Sequence, residues 1–589
     1  MKNIKINNWQ YTFSKLWRYL SKQKVLLFLV TLLVFVSSGL SLLGPYLLGF
    51  TIDQFLLYNK GDESYYLIFF LISIYIAQSI FLFSQNYLMI GIAQNTVTAI
   101  RNDFFNHIQG LPLRFFQQTK QGDLMSRLTN DIENISRTLN SAFIQVLTSV
   151  VTIIGTFILM IWLSPLLTLI TLTIVPVMYF GMRWITNRTK RFFKLQQRDL
   201  GEMNALIEEI FSGQEIIKSF SKENDMIEEF NQKNLALKYS SYWAQTYTGF
   251  IPKLMNMLNN VGFALIIGVG ALFAFNNYAG VTVGIIVTFT TYARQFTRPL
   301  NDLANQFNLL LSAFAGAERV FVIMEENHEN IDSENSTDLP PIKGHVLFDH
   351  ATFSYTADEV VLKDINLAVS PGQKVAIVGP TGAGKTTLTN LLSKFYPLEN
   401  GHIYIDGMNL NEVNQASIRK QIGYVLQDTF LFQSTIMENI RYGRLNASDE
   451  EVIEAAIKAR ADDFIKKLPE RYQTMLDARG TNISFGQRQL ISIARTILSE
   501  PNLLVLDEAT SNIDTLTEKK IKAGLDYLMY NKTSFIIAHR LNTVKDADLI
   551  IVLKEGKIIE KGTHDQLLAQ GGYYASMYKT QTINEVLTS

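Results

Sequence analysis

The 589-residue sequence contains no cysteine, which excludes disulfide bonds, thiolate metal ligands and thiol redox chemistry. Its 53 Lys and Arg residues balance its 53 Asp and Glu residues. Net charge therefore gives no indication of a nucleic-acid partner, and we expect none. The composition is nevertheless apolar for a chain of this length, with 48% hydrophobic residues and positive mean hydropathy.

Charge is scarcest in the first half of the chain, where six apolar stretches reach or approach the ~20 residues needed to span a bilayer. They lie at residues 25–46, 65–88, 142–163, 166–185, 251–275 and 281–292. Arg294 and Arg298 follow the last stretch and leave its end open. The first stretch is too long, and lacks the small-residue cleavage site, for a removable signal peptide. We expect a membrane-embedded unit followed by a soluble one.

Basic residues indicate the orientation of this predicted membrane unit. Lys and Arg are frequent before the first stretch and in the links between stretches two and three and between four and five. The alternate links are short and hold one Lys and no Arg. We therefore expect a multi-pass protein of the cell membrane with both termini and the soluble unit in the cytosol.

Two long links, roughly residues 91–141 and 186–250, have helical patterning and few helix breakers. About 25 helical residues would carry each turn ~37 Å beyond the membrane. A polar segment at residues 326–341, ending in Pro340 and Pro341, predicts a linker. It separates a predicted transmembrane domain at residues 1–325 from a domain at residues 342–589, where strand, glycine-turn and helix patterns alternate.

A phosphate-binding motif opens this second domain. Residues 379–386 read GPTGAGKT between an apolar strand pattern and a helix pattern, and they fit G-x-x-x-x-G-K-[ST]. Backbone N–H groups at such a helix N-terminus point at phosphate. We expect Lys385 to neutralise the β- and γ-phosphates of a nucleotide and Thr386 to hold Mg²⁺. A chance glycine-rich turn would rarely match all these positions in this context.

A second motif supplies carboxylates. Residues 503–514 read LLVLDEATSNID, a short apolar strand that ends in Asp507 and Glu508. We expect Asp507 to hold Mg²⁺ through water and Glu508 to polarise the attacking water as general base. A solvated acidic turn would explain this string alone, but not both motifs together. The chain is therefore predicted to bind and hydrolyse ATP.

With these motifs the chain resembles a half-size ABC exporter of the type IV class. The resemblance implies an all-α six-helix transmembrane domain followed by an α/β P-loop nucleotide-binding domain, with ATP and Mg²⁺ bound. FFQQTKQGDLMSRLTND (115–131) and SGQEIIKSF (212–220) are similar to the family's two intracellular loops. Further positions match family motifs by type and order. They are the adenine-stacking Tyr355, the magnesium-sensing Gln427, the signature residues Ser484, Phe485, Gly486 and Gln487, the D-loop residues Ser511 and Asp514, and the switch His539.

Together these matches give three groups of expected site residues. The catalytic residues are Glu508, His539 and Gln427. The magnesium ligands are Thr386, Gln427 and Asp507. The nucleotide-binding residues are Tyr355, Gly379, Pro380, Thr381, Gly382, Ala383, Gly384, Lys385, Thr386 and Thr387. The resemblance further implies that Ser484, Phe485, Gly486 and Gln487 act on ATP held by a partner chain.

Several positions depart from the family pattern. Phe485 stands in ISFGQ where many members carry Gly, Asp477 and Ala478 stand where homodimeric exporters usually have Gly-Glu, and SNID replaces the commoner SALD. This pattern resembles the catalytic-glutamate subunit of heterodimeric bacterial multidrug exporters. It implies a second, non-identical half-transporter whose catalytic carboxylate is degenerate. A homodimer remains the alternative.

The predicted spans indicate the substrate only by class. They are almost free of ionisable residues away from their ends, which suits amphipathic or lipophilic small molecules. A lipid flippase on the same fold is an alternative, and a regulatory subunit that does not transport is another. The intact Glu508 and His539 argue against the last.

Overall fold

The computed structural model describes residues 9–58, 61–276, 280–329, 332, 336–356, 359–477, 480–507, 514–538 and 544–588. The chain forms two compact units. The helical unit comprises Met1–Gly110 and Thr119–Glu326, and the mixed unit comprises Leu111–Gln118 and Asn327–Ser589.

Long helices build the helical unit, as its uninterrupted apolar patterning predicts. Ser164 caps one of them, where its Oγ accepts a 3.4 Å hydrogen bond from Leu167 N and Pro165 occupies the first helical position, an arrangement that favours helix initiation. The helices up to residue 323 are α1 (Trp9–Leu20), α2 (Lys24–Tyr58), α3 (Gly61–Gln109), α4 (Leu113–Gln118), α5 (Gln121–Ser126), α6 (Ile132–Leu163), α7 (Pro165–Ser212), α8 (Gln214–Ser219), α9 (Glu223–Phe275) and α10 (Val283–Ile323). A short 3-10 helix (Ser21–Gln23) precedes α2, and a π-helical turn (Arg127–Asp131) precedes α6.

Five of the described helical segments are long and apolar enough to cross a membrane by length and composition. They are Trp9–Phe55, Tyr65–Gln109, Gln121–Leu163, Pro165–Ser212 and Glu223–Phe275. The sixth predicted stretch lies in α10, which does not end near residue 292 but continues through both arginines to Ile323. Arginine is a good helix former, so Arg294 and Arg298 do not end the helix, and α10 also continues through Pro299. The two long links are helical, and the 53 residues of α9 correspond to about 80 Å.

The helical unit contains a close contact between α2 and α10. The carboxylate of Asp53 accepts hydrogen bonds from Thr282 Oγ1 at 2.5 Å and from Gly284 N at 2.8 Å. A Cβ atom built on Gly284 would lie 2.1 Å from the carbonyl oxygen of Gly49. The two backbones approach this closely because both positions lack a side chain.

Two sheets form the mixed unit. A four-stranded antiparallel sheet has the order β2-β1-β4-β5 and a six-stranded sheet the order β10-β9-β3-β8-β7-β6, in which all neighbours are parallel except β10 and β9. The strands are β1 (Val346–Thr356), β2 (Glu359–Val369), β3 (Lys374–Val378), β4 (Asn400–Ile405), β5 (Met408–Asn409), β6 (Ile422–Val425), β7 (Leu503–Asp507), β8 (Thr533–Ile537), β9 (Leu549–Lys554) and β10 (Lys557–Gly562).

Helices cover the six-stranded sheet, whose central strands are continuous apolar runs because both faces are buried. The helices that follow β3 in this unit are α11 (Lys385–Leu392), α12 (Gln415–Arg419), α13 (Ile436–Arg441), α14 (Asp449–Lys458), α15 (Asp462–Ile465), α16 (Phe485–Leu498), α17 (Thr515–Met529), α18 (His564–Gln570) and α19 (Tyr573–Thr588). Leu410–Glu412 and Arg471–Gln473 are 3-10 helices. All elements from β1 to α19 belong to one α/β fold.

The described part of the predicted linker is hydrogen-bonded to this α/β fold. Asp332 accepts a 2.8 Å bond from the ammonium of Lys394, whose side chain is 3% exposed. Thr337 is hydrogen-bonded to the chain at the end of the 3-10 helix Leu410–Glu412. Its N–H donates to Glu412 O, and its carbonyl accepts from Asn414 N. The segment is therefore held along the domain rather than projecting from it.

Candidate nucleotide site

A glycine loop connects β3 to α11 at the carboxyl edge of the six-stranded sheet. Gly379, Gly382 and Gly384 all have positive φ angles, which only glycine adopts without strain. At Gly379 a Cβ atom would also lie 2.1 Å from Leu553 O. The loop therefore needs glycine for its path, and it leads into an eight-residue helix whose first N–H groups have no partners within the helix.

Lys385 is the first residue of α11 and is 7% exposed. Its ammonium donates hydrogen bonds to Gly379 O at 2.7 Å and Pro380 O at 3.0 Å. These two bonds to the start of the glycine loop fix the position of the Lys385 ammonium. Burial lowers the pKa of Lys385, and the nearby charge of Asp507 acts in the opposite direction. An anionic phosphate in contact with this amine would stabilise its charged form.

Oxygen ligands for a cation collect at the same edge. Asp507 ends β7, Gln427 follows β6 by two residues, and the exposed Thr386 lies in the first turn of α11. Carboxyl ends of parallel strands meet at one edge, where α/β proteins bind their ligands. Within the described residues no group of three His, Cys, Asp or Glu side chains is placed to hold a metal. One carboxylate with neutral oxygens nevertheless suits Mg²⁺, which completes its octahedron with water and substrate phosphate.

Tyr355 lies near the end of β1 and is half-buried. Its hydroxyl is 3.1 Å from Thr387 Oγ1 in α11. Its ring meets those of Phe353 and Tyr396 edge-on, at centroid distances of 4.9 and 5.1 Å. The predicted adenine-stacking ring is thus fixed next to the phosphate-binding helix.

The predicted signature residues begin α16. Ser484 is its N-cap, and the capping box is complete because Gln487 N donates to Ser484 Oγ at 3.2 Å and Ser484 N donates to Gln487 Oε1 at 3.0 Å. Phe485 is half-buried, and the guanidinium of Arg488 lies 5.6 Å from its ring centroid. The buried Gly486 follows in the first turn. The helix therefore starts with a well-ordered N-terminus that carries a large aromatic side chain.

The predicted D-loop is described only at its end. Asp514 caps α17 by accepting a 2.9 Å hydrogen bond from Thr517 N, and this bond lowers its pKa. Glu508, Ser511 and His539 lie outside the described residues, as does Ala478. Glu508 directly follows β7, and His539 follows β8 by two residues. Their assigned roles stay predictions.

Sequence reasoning missed two residues that support the site. Gln489 in α16 is fully buried, and its amide donates to Leu426 O at 3.1 Å and Gln427 O at 2.7 Å. It ties the signature helix to the segment that carries Gln427. Gln117 in α4 is the other, because its Oε1 accepts from the hydroxyl of Tyr396. A polar residue on the apolar face of an amphipathic helix was the available signal for Gln489.

Comparison with known proteins agrees with this geometry. Residues 27–300 match the family described as ABC transporter transmembrane region, and residues 362–511 match the family described as ABC transporter. An uncharacterized ABC transporter ATP-binding protein of Bacillus subtilis, YfiC, is 52% identical over 98% of this chain and 96% of its own length. A fatty acid ABC transporter ATP-binding/permease protein of Mycobacterium bovis is 40% identical over 86% of this chain and 80% of its own length.

A solved structure shares the whole architecture. A bacterial Atm1-family ABC exporter with ATP bound superimposes with a TM-score of 0.75 at 28% identity, covering 95% of this chain and 98% of that one. The predicted fold class, long membrane helices followed by an α/β nucleotide-binding domain, is confirmed.

Proposed function

The chain belongs to the ABC exporters, in which a transmembrane domain is followed by an ATP-hydrolysing domain, and on this premise we propose that it expels amphipathic or lipophilic compounds from the cell. The observation that carries this proposal is the buried Lys385, clasped by its own glycine loop at the sheet edge where Asp507 ends β7. A phosphate-binding centre of this kind, in a multi-pass membrane protein, supports ATP-driven transport. The apolar helices support a substrate that partitions into lipid.

We assign the chemistry to this chain's residues from the sequence motifs in which they stand. The loop N–H groups and Lys385 bind and orient the phosphates, while Tyr355 holds the base. Glu508 takes the proton of the attacking water, and His539 contacts the transferred phosphoryl group. Positioning and electrostatic stabilisation account for most of the rate enhancement in phosphoryl transfer. A rigid loop that holds the phosphates in one orientation therefore suits this reaction.

We assign the Mg²⁺ site to Thr386, Gln427 and Asp507. The hydroxyl, amide and carboxylate oxygens are the hard ligands that this ion prefers. The ion supplies charge neutralisation between the phosphates when bound. Gln427 has a second role in this proposal, which is to link the Mg²⁺ site to α16. Its carbonyl accepts a hydrogen bond from Gln489 of α16, so a shift of the segment that carries Gln427 would also move α16.

Transport requires a second half-transporter, which this architecture implies. We propose that the Ser484–Gln487 helix N-terminus closes the ATP held by that partner, and that the partner's equivalent closes the ATP at Lys385. Phe485 then meets the partner's nucleotide. An aromatic ring at this position favours a site built to hold ATP rather than to turn it over, so we propose a non-identical partner with a degenerate catalytic carboxylate.

Two alternatives use the same machinery. In a homodimer, Phe485 of one copy would face the intact ATP site of the other copy. A lipid flippase would carry bilayer lipids through the same helices, which the fold permits equally.

The proposed orientation, with both termini and the nucleotide-binding domain in the cytosol, rests on the basic links of the helical unit.

The test is to purify the full-length chain alone and together with candidate half-transporters, then to measure mass, ATP hydrolysis and transport in proteoliposomes. We expect hydrolysis and ATP-dependent uptake of a lipophilic dye into inside-out vesicles only with a non-identical partner. A fully active homodimer would overturn the heterodimer proposal and leave export standing. Vesicles that hydrolyse ATP and move labelled phospholipid but no dye would favour the flippase.

A further inference from the structure

Helix α10 carries two exposed arginines, Arg294 and Arg298, which we call the exposed stripe of α10. Between Gly284 and Pro299 the described side chains are buried or half-buried except at two positions, Arg294 and Arg298. These residues are four apart, so they lie on one face of the helix, about 5–6 Å apart at Cβ. Both guanidinium groups therefore project from the same side of α10.

Arg294 comes just after the apolar stretch 281–292, near the middle of the first half of α10. It follows Val283, the first residue of α10, by 11 residues, which at 1.5 Å per residue is about 16 Å along the axis. The hydrocarbon core of a bilayer is ~30 Å thick. A charge near the bilayer centre is retained where it faces protein or a water-filled path, and it marks a functional site by default.

The surroundings of Arg294 are largely apolar and, within the described part of the chain, hold no acidic side chain. A narrow cleft between α7, α9 and α10 is lined by Arg294 together with apolar side chains, among them Ile174, Phe263 and Ile266, and neutral polar ones, among them Thr171, Asn259 and Thr290. The guanidinium carbon lies 4.5 Å from the centroid of the Phe263 ring, and Thr297 donates to Asn259 Oδ1 at 3.2 Å. The cation–π contact with Phe263 orients the guanidinium but does not neutralise its charge.

Carboxylates do not neutralise this stripe within the described part of the chain. No ion pair within 4.0 Å is found there for Arg294 or Arg298. The nearest acidic residue along α10 is Asp302, one turn beyond Arg298, and its Oδ2 lies 3.4 Å from the amide nitrogen of Gln145. Arg294, and Arg298 about 6 Å further along the helix axis, therefore lack an anionic counterpart among the described residues.

We propose that Arg294 and Arg298 form the head-group site of the transport path and select amphiphiles that have one anionic head and an apolar chain. The proposal rests on the exporter function above and narrows its substrate class. Guanidinium binds carboxylate and phosphate oxygens through paired hydrogen bonds. The apolar helices beside the cleft accept the chain. The fatty acid transporter among the relatives agrees with this chemistry.

The experiment measures association, without ATP, in phosphatidylcholine vesicles that contain the purified full-length chain, with its partner where one co-purifies. The probes are doxyl-labelled stearic acid and its methyl ester, and doxyl-labelled phosphatidylglycerol and phosphatidylcholine. The pH keeps the carboxyl ionised. Electron paramagnetic resonance gives the motionally restricted fraction of each probe. We expect one anionic probe to associate about tenfold or more tightly than its neutral counterpart, and the stronger of the two identifies the source of the head group.

Variants assign the selectivity to the stripe. In Arg294→Gln and Arg298→Gln we expect the preference for the anionic probe to fall toward unity while association of the neutral probes is unchanged. Arg294→Lys keeps the charge but loses the paired hydrogen bonds, so we expect it to retain only part of the preference. Lys238→Gln, at an exposed position of α9, is the matched control and keeps the full preference. Equal association of charged and neutral probes with the wild type, or a preference that survives both Gln variants, overturns the proposal. ATP-dependent uptake of each of the four probes into inside-out vesicles tests export separately from head-group selectivity.

Discussion

The hydroxyl of Tyr396 donates a 2.5 Å hydrogen bond to Gln117 Oε1. Gln117 lies in the short helix α4, which follows the long α3 along the chain but belongs to the mixed unit. Tyr396 in turn meets Tyr355 edge-on, and Tyr355 contacts Thr387 of the phosphate-binding helix. Four side chains thus form a continuous path from α4 to the nucleotide site.

We predict that Tyr396→Phe weakens this path. The ring and its packing are kept while one hydrogen bond is lost, which should cost about 0.5–1.5 kcal/mol in the unfolding of the mixed unit. Burial raises the pKa of Tyr396, so the phenol is neutral and donates at physiological pH. Differential scanning calorimetry of the purified full-length chain measures the loss.

The matched variant is Gln117→Leu, and Gln118→Leu on the same exposed helix serves as the control. If the bond exists, the double variant Tyr396→Phe/Gln117→Leu should cost less than the two single changes together. Strict additivity would show that the two residues do not interact. Transport per ATP hydrolysed should fall in both single variants and not in the control.

The role of Tyr355 in nucleotide binding can be tested directly, because its ring is expected to stack on adenine while its hydroxyl contacts Thr387. We predict that Tyr355→Ala weakens nucleotide affinity more than it slows hydrolysis at saturation, since stacking of this kind is worth on the order of 0.5–1.5 kcal/mol. Tyr355→Phe keeps the ring and removes only the contact with Thr387. The ATP dependence of hydrolysis separates the two. A Phe variant as weak as the Ala variant would assign the effect to the hydroxyl rather than to stacking.

Strong local rules made part of this structure predictable. Residues 379–386 specify both a strand-loop-helix geometry and a chemistry, and the apolar stretches specify helices. The end of the sixth stretch was not predictable from hydropathy, because Arg294 lowers the apolar average without breaking a helix. Gln117 was missed for another reason. Its partner is 279 residues away, and no local pattern encodes a contact at that separation.

The close contact of α2 and α10 gives a stability prediction. Gly284→Ala would place a Cβ atom 2.1 Å from Gly49 O and 2.5 Å from the carboxylate of Asp53. Overpacking of this kind typically costs 1–3 kcal/mol, so the variant should unfold at a lower temperature in detergent. Gly268→Ala in α9 is the control, because nothing lies within 4 Å of its new Cβ. Equal thermal stability of Gly284→Ala and wild type would contradict the close approach.

For catalysis we predict that Glu508→Gln reduces ATP hydrolysis by at least about 10²-fold, the usual contribution of a general base, while ATP binding is kept. Glutamine preserves the size of the side chain and loses proton acceptance. Glu454→Gln, which disrupts only a surface pair with Lys458, should leave the rate near that of wild type. Purified, reconstituted protein with near-normal turnover would remove Glu508 from the assignment.

The last prediction uses Phe485 to separate the two dimer proposals. Phe485 is the first residue of α16, where a Gly substitution keeps the Ser484 cap and removes only the ring and its contact with Arg488. In a heterodimer this ring faces the partner's weak site, so Phe485→Gly should alter ATP retention by the partner and leave total hydrolysis within about twofold. Photolabelling of each subunit with an azido-ATP and steady-state hydrolysis measure the two effects. In a homodimer the same ring faces the site of Lys385 and Asp507 in the second copy, and the variant would change turnover by on the order of tenfold, equivalent to about 1.4 kcal/mol. A change of that size in a purified single-chain preparation would therefore establish that both sites are this chain's own.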